Sequence, residues 1–210
     1  LKGERIAWII VSHTHKDHSP GATLLAERTG APIIGCAPFV AKEGPESGLD
    51  SAHDLSYAPS RVMKDGDRIE GDGFTLEAIE TPGHASNHLA FALPQERSVF
   101  SADHVMAWST SIVAPPDGNM TDYMNSLDKL RGREDATLWP GHGGPVTEPQ
   151  RYMRALSAHR RQREAAIVRR LHAGDETIHE MVARIYDGLD PRLVNAAALS
   201  VLAHMEDLVT

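Results

Sequence analysis

The sequence predicts an α/β layered domain followed by a small helical module, and three observations carry that prediction. The chain opens on a strand–helix–strand pattern. Short apolar runs broken by glycine and proline then continue as far as Pro149. Beyond Pro149 the texture changes to long amphipathic repeats. The 210 residues, 41% hydrophobic and 24% charged, suit one full domain with an appendage and exclude a disordered chain.

Each element has a local reason. Ile6-Ala7-Trp8-Ile9-Ile10-Val11 is a nearly continuous β-prone run, as in a strand covered on both faces. Ser19-Pro20-Gly21-Ala22 opens a short helix over 22–28 that Gly30 can cap. Pro32-Ile33-Ile34-Gly35-Cys36 reads as a second buried strand, completing a βαβ unit. Residues 43–60, rich in Gly, Pro, Ser and Asp, read as a mobile loop. Further strands are expected at 74–79, 89–93, 98–102 and 137–139. A long helix is expected over 150–172, with Tyr152, Leu156, Ile167 and Leu171 on related faces. Thr177-Ile178-His179-Glu180 has the form of a capping box, and Ile178, Met181, Val182 and Ile185 follow at helical spacing. Asp190-Pro191 opens a last helix that repeats Val194, Ala197, Val201, Met205 and Leu208. The expected domains are residues 1–149 and a helical extension, 150–210.

Composition narrows the class. No apolar run approaches the ~20 residues that cross a bilayer, so no membrane partner is expected. The charged start Leu1-Lys2-Gly3-Glu4-Arg5 does not read as a secretory leader. Cys36, the single cysteine, rules out an intramolecular disulfide and a Cys-rich zinc module, and points to a reducing, cytoplasmic setting. In its apolar strand it reads as a small buried hydrophobe. The net charge of −8 disfavours a general nucleic-acid coat. It is uneven: residues 1–149 carry 12 basic and 21 acidic side chains, residues 150–210 carry 9 and 8.

The unusual count is 12 histidines. Directly after the first strand stands Ser12-His13-Thr14-His15-Lys16-Asp17-His18. Alternate residues at a strand end point the same way, so His13 and His15 can converge on one point. A turn after His15 can aim Asp17 and His18 at a neighbouring one. Neutral imidazoles and carboxylates suit Zn²⁺, and two ions would need more donors than this loop holds. Three later places offer them, each where a short strand runs into a turn: Thr81-Pro82-Gly83-His84, Ser101-Ala102-Asp103-His104 and Pro140-Gly141-His142-Gly143-Gly144. Taken singly, such histidines are more often exposed or capping groups; in this order they reinforce the first motif.

The pattern His-x-His-x-Asp-His, a later histidine, a later aspartate and a final Gly-His-Gly resembles the metallo-β-lactamase superfamily. The resemblance implies an αββα sandwich and two divalent metal ions, zinc by the donor set. It places His13, His15 and His84 on one ion, Asp17, His18 and His142 on the other, and Asp103 between them. Two cations roughly 3.5–4 Å apart can hold a shared water as hydroxide near neutral pH and polarise the bond under attack. The expected activity is hydrolysis of an ester, thioester or phosphodiester, with Asp17 and Asp103 in the catalytic centre. His88, opposite the Leu89/Phe91 face, is expected to look toward the cleft as a proton donor or substrate contact. His104 is expected to turn away from the metals. His159, His172, His179 and His204 are expected on the surface, and His53 receives no role.

The segment from Ser101 through Trp108, Pro115-Pro116-Asp117-Gly118 and Tyr123-Met124-Asn125-Ser126-Leu127 looks like the β-lactamase-like hydrolases that carry a winged-helix extension, a group that includes an endoribonuclease. His159-Arg160-Arg161-x-Arg163-Glu164 fits the same group. Arg160, Arg161, Arg163, Arg169 and Arg170 could meet phosphates, although a solvated helix face is the more ordinary reading. Trp108 could line the substrate mouth or merely pack. The partners expected are a small-molecule or nucleic-acid substrate and a second copy of the chain. Several strands normally precede the histidine motif in this family, and a β wing normally follows Leu208-Val209-Thr210. The chain is therefore expected to be trimmed at both ends and to lack most of its N-terminal half-sheet. The competing readings are an endoribonuclease-type phosphodiesterase and a non-catalytic, metal-stabilised binding module. A one-iron oxygen enzyme is disfavoured by the complete set Asp17, His18 and His142.

Overall fold

The computed structural model of the chain describes residues 3–40 and 52–209. The opening apolar run becomes strand β1 only over Ile9–Val11. Helix α1 (Pro20–Thr29) follows and ends on Gly30, whose φ of 72° supplies the left-handed turn. Strand β2 (Ile33–Gly35) lies parallel to β1, with Ile9 beside Ile33 and Val11 beside Gly35. A two-residue strand, β3 (Arg61–Val62), adds to the other edge of β2. Among the described residues this first sheet has three strands, in the order β1-β2-β3.

The second sheet has five strands, ordered β4-β5-β6-β7-β8 as in the chain. They are β4 (Arg68–Glu70), β5 (Thr75–Glu80), β6 (Leu89–Leu93), β7 (Ser98–Ala102) and β8 (Thr137–Pro140). All pairs are antiparallel except β7–β8, which the crossover helix α2 (Met120–Arg131) makes parallel. Period-two alternation sorts the side chains of β5 and β6. Ala78, Leu89 and Phe91 join Ile9, Val11, Ile34 and Cys36 between the sheets. Ile79, Ala90 and Ala92 face the opposite way, onto Tyr123, Leu127 and Leu130 of α2. Burying Leu89 or Phe91 contributes about 2 kcal/mol each. With α1 against the first sheet and α2 against the second, the layers run α-β-β-α. The described first sheet is narrower than the second, and Phe100 of β7 and Trp139 of β8 stay 43% and 45% exposed.

Helix α3 (Pro149–His172) joins the two parts of the molecule. Met153 and Leu156 near its start belong to the core over the second sheet; Ile167, three turns on, belongs to a separate core. That second core holds Met181 and Val182 of α4 (Ile178–Ile185) and Ala197 and Val201 of α5 (Val194–Val209). The expected capping box is present: Thr177 accepts from the Glu180 backbone N–H at 3.2 Å, and Glu180 accepts from that of Thr177 at 3.0 Å. Asp190 caps a single 3₁₀ turn, Pro191–Leu193, that leads into α5, rather than the helix itself. No helix among the described residues is long and apolar enough to cross a membrane.

Helix α2 and strands β3 and β4 are additions to the sequence reading. The expected loop at 43–60 lies partly outside the described residues; its described end holds a backbone bridge between His53 and His15.

Candidate metal centre

The chemistry-bearing side chains gather at one end of the sandwich, where β1, β5, β7 and β8 finish. After Val11 the backbone bends at Ser12, runs through His13 to a single bridge at His15, and then turns: the N–H groups of His18 and Ser19 both donate to the His15 carbonyl, at 2.9 and 3.1 Å. That turn swings Asp17 and His18 beside the point that His13 and His15 face. His84 comes from the loop after β5 and His142 from the loop after β8. Asp103 follows Ala102, which holds a φ of 43° although it carries a Cβ. Gly141 is required by contact: a methyl there would overlap Asp103 Oδ1 and come within 2.9 Å of His18 Cε1.

Two sets of donors result. Ligand-type atoms of His13, His15 and His84 lie within 4.8 Å of one another, and so do those of Asp17, His18, Asp103 and His142. Asp103 Oδ2 stands between the sets, 3.4 Å from His18 Nε2, 3.4 Å from His142 Nε2 and 3.7 Å from His84 Nε2. Asp17 Oδ2 is 3.1 Å from His142 Nε2. His84 Nδ1–H donates to the Ile112 carbonyl at 2.6 Å, which fixes the tautomer and makes Nε2 an acceptor. That Nε2 lies 3.0 Å from His15 Nδ1.

Three buried atoms of the cluster, His13 Nε2, His18 Nε2 and Asp103 Oδ1, have no hydrogen-bond partner. Unpartnered buried donors and acceptors are costly, and these mark both donor sets as places where a cation would find free ligand atoms. The protonation states of the first donor set and of Asp103 agree, whereas at His18 burial is outweighed by the Asp103 carboxylate, which raises the imidazole above its ordinary value. Burial, reinforced by the neighbouring imidazoles, holds His13 well below its ordinary value and His15 at about 3. Burial also lowers His84. Burial opposes the charge on Asp103, but the His18 imidazole 3.4 Å away and the other imidazoles around it outweigh that and keep it below the usual carboxylate range. Neutral imidazoles beside an ionised carboxylate are the states a divalent cation needs. The residues present therefore fit such ions.

Two of the other histidines, His88 and His204, depart from expectation. His88 does not look into the cleft. It is 1% exposed and lies beneath it, with Nδ1 paired to the Thr81 hydroxyl at 2.8 Å and Nε2 accepting the Asp103 backbone N–H at 3.2 Å. With both nitrogens engaged it holds the Asp103 turn and presents no proton to a substrate. His104 turns away as expected, fully buried against Tyr123. His204 is not a surface residue: it is 1% exposed. Nor is Arg160 part of a solvated face, being 3% exposed, bonded to the Ser111 carbonyl and set over the Tyr123 ring at 4.8 Å. Trp108 is 75% exposed, its ring 6.5 Å from that of His142.

His53 is the residue that sequence reasoning missed. It is buried, stacks on Phe39 at 3.7 Å, pairs Nδ1 with the Thr14 hydroxyl at 2.9 Å and places Nε2 3.3 Å from Asp117 Oδ2. Asp117 also accepts the Ser86 backbone N–H at 3.1 Å. This pair thus ties the first histidine loop to the loop that carries His84. Pro-Pro-Asp-Gly before α2 was the signal available for Asp117; for His53 there was none.

Known proteins resemble this chain in sequence and fold. Residues 1–142 match the family described as "Metallo-beta-lactamase superfamily", and residues 177–210 match the "Beta-lactamase associated winged helix domain". The chain is 28% identical over 200 residues to "Beta-lactamase-like protein 2 homolog" of Caenorhabditis elegans, covering 93% of this chain and 62% of that protein. It is 30% identical over 171 residues to "Thioesterase pkgB" of Emericella nidulans, covering 80% of this chain and 44% of that protein. The chain thus spans about three fifths of the first relative's length and less than half of the second's. A crystal structure of a "Beta-lactamase domain protein" from Burkholderia ambifaria superposes with a TM-score of 0.82 at 20% identity, covering 100% of this chain and 70% of that one.

Proposed function

The chain belongs to the metallo-β-lactamase superfamily, and from that premise we propose that it is the core of a dinuclear metallo-hydrolase whose substrate is a carboxylic thioester. One observation carries the dinuclear reading: Asp103 Oδ2 lies within 3.7 Å of imidazole nitrogens from both donor sets. In this reading His13, His15 and His84 would hold one cation, Asp17, His18 and His142 would hold the other, and Asp103 would serve both. Nitrogen and carboxylate donors suit zinc, which we take as the metal. When bound, the ions supply a hydroxide near neutral pH and polarise the carbonyl under attack. The chain's own contribution is positional. The Ile112 carbonyl orients His84, the His88 imidazole holds the Asp103 turn, and Gly141 leaves room for the Asp103 carboxylate. Asp17, 60% exposed at its side chain, stands on the solvent side of the cluster, 3.1 Å from His142 Nε2. The thioester is chosen because a relative covering 80% of the chain is named a thioesterase.

Elemental analysis of purified protein should find about two divalent ions per chain, with zinc dominant. An acyl-thioester, a chromogenic lactam and single-stranded RNA should then be offered in parallel. The thioester alone should be cleaved, and chelation or Asp103→Ala should lower the rate at least about 100-fold. Cleavage of RNA alone would replace the thioester with a phosphodiester. Metal binding without turnover of any substrate would leave a binding module, and turnover indifferent to chelator would remove the metal mechanism.

A further inference from the structure

Away from the metal cluster, α3 and α4 enclose a concavity of about 540 Å³ lined by His159, Arg163, Arg169, Arg170, Arg184 and Ile185, among others. Four guanidinium groups at one cavity are uncommon, because like charges repel unless something holds them. Here the fold holds three. Arg163 lies 4.2 Å over the Tyr186 ring and donates to the Ile185 carbonyl at 3.2 Å. Arg170 grips Asp175 through two bonds of 2.7 Å, and Arg184 reaches the same carboxylate. Asp175 is fully buried at its side chain, so it anchors the two arginines without facing the cavity opening. Arg169 is exposed at the rim. One carboxylate against four cations leaves a positive surplus. In addition, His159 Nδ1 at the cavity is buried without a hydrogen-bond partner.

We propose that this concavity binds a small ligand carrying two or more phosphate charges, a nucleoside di- or bisphosphate in chemical class. Planar guanidinium groups held by stacking and paired bonds have already lost the freedom that binding would cost, and their remaining N–H groups, with the exposed guanidinium of Arg169, can meet phosphate oxygens. The volume falls within the range of small-ligand sites. A short anion fits better than a long one. RNA tracks along a basic stripe, whereas these arginines surround a bounded hollow, and residues 1–149 with their net −9 would repel an extended polyanion. The proposal does not depend on what the metal cluster hydrolyses.

Calorimetric titration of the metal-loaded chain with pyrophosphate, adenosine 3′,5′-bisphosphate and a single-stranded RNA oligomer tests it. Arg169→Glu changes a cavity arginine that is exposed. Arg161→Glu makes the same charge change at an exposed position of α3 outside the cavity. Both small phosphates should bind, with R169E weakening them at least tenfold and R161E less than twofold. Binding should also survive chelation, which separates it from phosphate held on the metal ions. The proposal is overturned by no binding at millimolar phosphate, by equal weakening from the two substitutions, or by binding that chelation abolishes. RNA binding through Arg169 without either small phosphate would likewise overturn it, in favour of a nucleic-acid surface.

Discussion

Asp103 sits at the meeting point of three constraints: a left-handed Ala102 before it, the His88 imidazole on its backbone N–H, and Gly141 against its Oδ1. Gly141→Ala should therefore displace the carboxylate, and we expect metal affinity to fall about tenfold or more by competition with a chromogenic chelator. His53 acts one layer further out. His53→Ala removes the link between the Thr14 hydroxyl and Asp117, and should weaken metal binding about 10- to 100-fold while the far-ultraviolet circular dichroism is unchanged. Unchanged affinity would show that the histidine loop holds its shape without it. The first four candidate ligands were legible because their spacing is local, and a strand end followed by a turn needs no knowledge of the rest of the fold. His53 was illegible because its importance comes from a backbone bridge to His15, thirty-eight positions earlier, and no residue beside it announces that bridge. His88 was misjudged for a related reason. Period-two alternation correctly turned it away from Leu89, but only the fold reveals that Asp103 covers it.

Strands β6 and β7 were readable to the residue, since each is a bounded apolar run between turn residues. Strands β3 and β4 were not, being two and three residues long with their charged residues exposed. Helix α2 did carry a signal: Met120, Tyr123, Leu127 and Leu130 recur at helical spacing, and Asn119 accepts the Asp122 N–H at 2.8 Å. Helix α3 shows how a charged repeat can mislead. From its sequence Arg160 belongs with Arg161 and Arg163. In the structure it turns inward, pairs with the Ser111 carbonyl, and lies 3.4 Å from the Ser200 hydroxyl of α5. It thereby fastens three segments, including the loop whose next residue, Ile112, orients His84. Arg160→Ala should cost about 2–3 kcal/mol in urea unfolding, because it removes charged hydrogen bonds and leaves a buried carbonyl unpaired. A cost below 0.5 kcal/mol would mean that α3 is held by its apolar contacts alone.

For the molecule as a whole, two cores joined by one helix make acid sensitivity a shared property. His204 of α5 is buried with both ring nitrogens unpartnered; burial, then the nearby Arg160 charge, lowers it to about 4. Its unfolded value is about 6.5. Between those limits the unfolded chain takes up a proton that the folded chain refuses, so stability falls as pH drops through that window. At pH 5 the loss from this residue is about 1–2 kcal/mol, and His204→Leu should recover that much relative to the parent while gaining nothing from it at pH 8. An identical pH dependence in parent and variant would mean that His204 titrates alike in the folded and the unfolded chain. The change of texture at Pro149 falls where α3 begins, but the sharing of α3 between the core over the second sheet and the core with α4 and α5 was not legible, because amphipathicity reveals a buried face without its partner. The central claim, that Asp103 joins two cations, is met most directly by an anomalous-difference map of metal-loaded crystals. Two peaks about 3.5–4 Å apart, with the Asp103 carboxylate touching both, is the predicted result; a single peak, or two peaks with that carboxylate turned away, would contradict it.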